Sequence, residues 1–136
     1  MDIPVVYKIK TMISRYEASQ IIDSELKQKI SRLNSNRISL NVDLSFDLYR
    51  SVHDLTEITQ KAAGDYDFIL LRQCFALAER LYNQGERLVK DVLENTFIYS
   101  VSRIIPAGKM EQCVSKAIIS KSFYSIYLTQ MMSRNN

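Results

Sequence analysis

The sequence predicts an all-α domain, and three observations carry that prediction. Glycine and proline together number five of 136 residues, where average usage gives about 12%, so turn-rich sandwiches and barrels are poorly served. Apolar residues recur at three- and four-residue steps over most of the chain, the period of a helix with one buried face. Hydrophobic residues make up 46% and charged residues 24%, enough apolar material at this length for one core and too little for two. We therefore expect a single domain over 1–136, built of five or six helices in antiparallel hairpins, packed as a bundle or stacked irregularly in a HEAT-like manner. No repeat of fixed period supports a regular array.

Taken in order, Val6, Ile9, Ile13 and Tyr16 predict a short helix over Val5–Tyr16. Leu26, Ile30 and Leu33 predict another from Ser24, its cap, to Leu33, and the polar stretch Asn34–Val42 reads as the longest loop. Leu44, Leu48, Val52, Leu55, Ile58 and Ala62 form the next stripe, opened by Asp43 or Ser45 and stopped at Gly64. Over Asp65–Asn83, Phe68, Leu71, Cys74, Phe75, Ala78 and Leu81 share one side while Arg72, Glu79 and Arg80 take the other. Asp65 or Asp67 can cap this helix, and Gly85 is expected to end it in the left-handed conformation. A tight Gln84-Gly85-Glu86 turn then leads into Val89, Val92, Phe97, Val101 and Ile104, closed by Pro106 and Gly108. The last helix, expected over Lys109–Met132, is apolar on more than one side. Met110, Val114, Ile118, Tyr124 and Leu128 make one stripe, and Ile119, Phe123 and Ile126 another. Such a helix is either central or keeps a face for a partner. The expected core is Leu48, Val52, Leu55, Leu71, Phe75, Ala78, Leu81, Val92, Phe97, Val101 and Ile118.

The net charge of +3 is unevenly spread: +3 over residues 1–42, −4 over 43–102 and +4 over 103–136. The basic residues are interleaved with apolar ones rather than massed along a strip, which makes weak nucleic-acid binding through the basic ends a minor reading. The first residues lack the apolar core of a secretory signal, and no window approaches the roughly 18 apolar residues of a membrane span. With Cys74 and Cys113 on different helices and no metal-type spacing, the expectation is a cytoplasmic protein with reduced thiols and no membrane partner.

Motifs that announce an enzyme are missing. One histidine excludes a multi-histidine metal site, a di-metal bundle would need paired E-x-x-H motifs, and the three glycines stand alone at Gly64, Gly85 and Gly108, so no phosphate loop or nucleophile elbow can be written. No cofactor or metal is expected. The one constellation worth naming is Tyr49, His53 and Glu57, spaced i, i+4, i+8, where a carboxylate can fix the imidazole tautomer and raise its pKa. Read functionally it is a ligand or catalytic site in an inter-helix cleft; read plainly it is a solvated pair, and the plain reading is much the commoner. Cys74 lies in an apolar stripe, where thiols pack and do not react. Among eight tyrosines, Tyr99, Tyr124 and Tyr127 gather in the last two helices, as core-edge residues or as an interface.

From Leu71 to Ile104 the chain reads LRQCFALAERLYNQGERLVKDVLENTFIYSVSRI. Cys74-Phe75, Ala78-Glu79, Leu81-Tyr82, Gly85, Val89, Glu94-Asn95, Phe97 and Tyr99-Ser100, after the Gly64-Asp65 turn, resemble a family of short, all-helical, uncharacterised bacterial proteins over residues 43–105. The resemblance implies a helical hairpin and brings no catalytic residues. Small helical proteins of this look include immunity proteins that plug toxins, an analogy of fold. The favoured expectation is a non-catalytic protein-interaction domain, immunity-type or homodimeric, using the Ile119, Phe123 and Ile126 face or the acidic central hairpin.

Overall fold

The computed structural model describes residues 12–33, 47–104, 112–113 and 118–134, and among them the fold is all-α, with five helices. Helix α1 (Arg15–Leu33) starts at a capping box: the Glu17 N–H donates to Ser14 Oγ at 3.2 Å and the Ser14 N–H donates to Glu17 Oε1 at 3.0 Å. It runs straight through the expected start at Ser24. The stripe that holds it to the core is Ala18, Ile22 and Leu26, all fully buried, a four-residue step continuous across that point. Of the helix expected over Val5–Tyr16, the described residues 12–14 are not helical, and Arg15 and Tyr16 belong to the start of α1. Ile13 instead pairs in a parallel bridge with Gly85, its N–H donating to the Gln84 carbonyl at 2.8 Å and its carbonyl accepting from the Glu86 N–H at 2.9 Å. The rest of that segment and the loop over 34–42 lie outside the described residues.

Helix α2 (Leu48–Gly64) is capped by Asp47, whose carboxylate accepts from the Tyr49 and Arg50 N–H groups. Asp43 and Ser45, the caps expected from the sequence, lie outside the described residues. Its C-terminus closes in a Schellman motif: the Asp67 N–H reaches the Ala62 carbonyl at 2.9 Å and the Tyr66 N–H the Ala63 carbonyl at 3.3 Å. The left-handed position falls on Tyr66, at φ 59°, and not on Gly64. Asp67 then caps α3 (Phe68–Gln84), accepting from the Leu70 N–H at 3.1 Å, so a three-residue corner joins α2 to α3 and the two helices pack against each other.

Gly85 ends α3 in extended backbone (φ −81°, ψ 156°), which corrects the left-handed expectation. The position needs glycine for space: a Cβ there would stand 2.5 Å from the Leu81 carbonyl oxygen and 2.6 Å from Val89 Cγ1. Helix α4 follows as one rod of three parts, α-helical over Arg87–Val92, a π turn over Leu93–Ile98 and α-helical again over Tyr99–Ile104. Helix α5 (Lys121–Arg134) is shorter than the single helix expected over Lys109–Met132, because the chain bends at Ile118–Ser120 and Ser120 Oγ takes the Phe123 N–H as a new cap.

Helix α2 is central, packed against α1, α3 and the length of α4, while α5 packs chiefly against α4. All eleven residues expected in the core are buried. Two hydroxyls buried on α2 are satisfied within it, Thr56 and Thr59 each donating to the carbonyl four residues back at 2.7 Å. Across the middle, Phe75 meets Phe97 edge-on at 5.9 Å, and Phe123 of α5 lies against Phe97 at 6.4 Å and against the Tyr82 ring at 6.0 Å.

Candidate functional site

Tyr49, His53 and Glu57 share one face of α2, as their spacing predicts, but that face is the outer one. Tyr49 is 60% exposed, and His53 and Glu57 are exposed with Nδ1 and Oε2 4.0 Å apart. The inter-helix cleft expected around them is therefore corrected: the opposite stripe of Leu48, Val52, Leu55 and Ala62 faces the core and turns these three to solvent. With Asp54 between them, His53 and Glu57 can bring one donor atom each to within 4.8 Å of one another, the one such His/Cys/Asp/Glu grouping among the described residues. Asp54 is already engaged by Arg50 at 3.4 Å.

Behind this face runs a polar chain that sequence reading misses. The Ser51 hydroxyl donates to Asp23 Oδ1 at 2.8 Å, and Ser19 Oγ lies 2.8 Å from Ser51 Oγ, both serines fully buried between α1 and α2. With the Ser51 proton committed to the carboxylate, Ser19 is the donor to Ser51. Arg50 sits between Asp23 (3.5 Å) and Asp54 (3.4 Å). Partial burial pushes the Asp54 carboxyl above its ordinary value; Arg50 opposes the shift, and the charges of Asp23 and Glu57 add to it. Ser19 and Asp23 lie one turn apart on α1 and Ser51 lies on α2, so only the packing of the two helices brings the three together.

Ile119 and Phe123, expected on a free partner face, are 4% and 3% exposed, and Ile126 is partly buried against the same core. That expectation is corrected: the stripe is the inner face of the last segment, drawn in by Phe97 and Tyr82. Tyr127 is also buried, Tyr124 half-buried and stacked on it at 5.7 Å, and Tyr99 is 38% exposed. Cys74 and Cys113 are buried. Much of the two basic ends lies outside the described residues.

At the junction of α3, α4 and α5 the Tyr82 hydroxyl donates to the Glu94 carboxylate, and Lys90 Nζ donates to the Tyr82 carbonyl at 2.6 Å while lying 5.1 Å from the centre of its ring. Burial, then the bond to Glu94 and its charge, push the Tyr82 phenol up to about 12, so it stays a neutral donor.

Among the described residues, a run of exposed apolar side chains stands at the α2–α3 corner. Tyr66 is 66% exposed, Ile69 67% and Phe68 43%, the two rings edge-on at 6.4 Å. The only sequence signal is an aromatic and apolar group, Tyr66, Phe68 and Ile69, in a turn where small polar residues are the rule.

The chain matches the family model described as "Domain of unknown function (DUF7674)" over residues 17–133. No curated protein matches it, and no solved structure does.

Proposed function

The chain belongs to this family of unknown function, and from that premise we propose that it is a non-catalytic protein-interaction domain that binds a partner protein through the α2–α3 corner. One observation carries the reading. Tyr66 occupies the left-handed position of a Schellman motif, where glycine fits without strain, and it turns an aromatic ring to solvent beside Phe68 and Ile69. A non-glycine residue in that conformation costs about 1–2 kcal/mol. Strain kept at a surface corner together with exposed aromatic area fits a binding hot spot, where tyrosine is over-represented. The outer face of α2 favours no second reading, because Tyr49, His53 and Glu57 stand open to solvent.

Affinity capture from the source cells tests this, with tagged wild type, Tyr66→Gly, Ile69→Lys and His53→Ala run side by side. The expected result is a stoichiometric protein held by wild type and by His53→Ala and lost from both corner variants. Equal recovery with Ile69→Lys, or no protein recovered with wild type, would overturn the corner as the binding surface.

A further inference from the structure

The exposed surface of the corner does not stop at Ile69. Along α3 the outermost stripe runs Ile69, Arg72, Ala76 and Arg80, steps of three and four residues that keep all four exposed, on the side turned away from the buried stripe of the same helix. The apolar group of Tyr66, Phe68 and Ile69 therefore continues into a strip that is charged, and charged with one sign.

The acidic side chains around the strip are committed inside the chain. Asp67 accepts the Leu70 N–H as the cap of α3, Asp65 faces Lys61 at 3.3 Å, and Glu79 accepts the Ser120 hydroxyl. Among the described residues no carboxylate stands within salt-bridge distance of Arg80. The segment that carries the strip, 43–102, has a net charge of −4, so the positive sign is local to this face. Ala76, between the two arginines, presents only a methyl group and lets a second backbone come close. Eight residues separate Arg72 from Arg80, about 12 Å along the helix axis.

We propose that the partner bound at the corner docks along this strip as an acidic amphipathic helix, with apolar side chains against Tyr66, Phe68 and Ile69 and two carboxylates against Arg72 and Arg80. The proposal rests on the corner reading above and adds the chemistry of what binds there. Residues seven apart on a partner helix share one face at about 10.5 Å, within reach of two long side chains at the spacing of these arginines. The planar guanidinium fork matches a carboxylate with two parallel hydrogen bonds. In this arrangement the apolar corner supplies most of the affinity, while the arginines select the sign of the partner and fix its direction along α3.

The test uses two labelled, alanine-based helical peptides that share a pair of leucines and carry, on the same face, either two glutamates seven residues apart or two lysines in their place. Each is titrated into the full chain at low and at physiological salt. We expect the glutamate peptide to bind, more weakly as salt is added, and the lysine peptide to bind at least about tenfold more weakly. Arg80→Glu should weaken the glutamate peptide by about fivefold, Arg72→Gln by less, and Ile69→Lys by more than either, while Lys27→Glu, an exposed charge on α1, should leave it unchanged. No binding of the glutamate peptide, equal binding of the two peptides, or an equal loss from Arg80→Glu and Lys27→Glu would overturn the acidic helix. The same variants are added to the affinity capture, where the two readings separate. A protein lost from Ile69→Lys but held undiminished by Arg80→Glu and Arg72→Gln would overturn the acidic helix and leave the corner standing; a protein held by Ile69→Lys would overturn both.

Discussion

Tyr66 sets two residue-scale terms against each other. Replacing it with glycine relieves roughly 1–2 kcal/mol of left-handed strain and gives back roughly 0.4–1 kcal/mol through the freer unfolded chain. Tyr66→Gly should therefore raise stability by about 0.5–1 kcal/mol in urea unfolding while losing the partner, a separation of stability from binding that a purely structural tyrosine would not show. Asp54 works in the opposite sense from an ordinary salt-bridged carboxylate. Its folded pKa lies above its ordinary value of 3.8, so the folded state disfavours the charged form; that cost is full above the raised pKa and disappears as pH falls through it toward 3.8. Asp54→Asn should accordingly be neutral or stabilising at about pH 7, with the difference from wild type shrinking on acidification, as thermal melts at a series of pH values would record. For Tyr82, with a phenol raised from 10.0 to about 12, stability held below the lower of these values is lost as pH rises from one toward the other, because the unfolded chain ionises first. Tyr82→Phe keeps the ring against Phe123 but leaves the Glu94 carboxylate short of a donor, at an expected cost of about 1.5–3 kcal/mol in chemical denaturation.

At the scale of elements, what can be read in advance divides by the range of the interaction that decides it. The α3 stripe and the Asp67 cap are legible because a helix period and an Asx cap are written in adjacent residues. The start of α1 is equally local yet is masked: Ser14-Arg15-Tyr16-Glu17 is the S-x-x-E pattern, hidden by the apolar steps of Val6, Ile9 and Ile13 running up to it. Gly85 is legible as a helix end, but its left-handed rationale is wrong, since what demands glycine is the approach of Leu81 and Val89, a contact between two helices that no short window reveals. The π turn likewise has no propensity signature, its one mark being the Tyr99 N–H bonded five residues back to Glu94. The corrected site residues fail for a related reason: periodicity finds stripes but cannot say which stripe faces inward, so it leaves Ile119 and Phe123 free to face out and Tyr49, His53 and Glu57 free to line a cleft. Gly85→Ala tests the close approach. With 2.5 Å to a backbone oxygen the corner must shift, and the expected loss is about 1–3 kcal/mol, visible as a lower denaturation midpoint, whereas an extended position with open space around it would tolerate alanine.

For the whole molecule the arrangement sets a hierarchy of stability. Chains of this length unfold with about 5–15 kcal/mol in total, and α2 is the element through which α1, α3 and α4 are joined. Leu55, fully buried at its middle, cannot be shortened without opening a cavity on the face that α2 turns to the core. Leu55→Ala should cost about 2–5 kcal/mol and lower the stability of these four helices together, seen as equal losses of amide protection in α1, α2, α3 and α4. Phe123 is buried just as well, and its truncation removes more surface, about 3–5 kcal/mol by the same reasoning. Its ring neighbours, however, are Tyr82 and Phe97 on one side of the fold, which predicts that α5 opens before the rest. Once the cost of the cavity exceeds the cost of lifting α5, the helix detaches and the remainder of the loss is never transmitted. Phe123→Ala should then strip protection from 118–134 while changing that of α2 less than Leu55→Ala does. Equal loss in α2 from the two variants would mean that the five helices form one cooperative unit with α5 inside it.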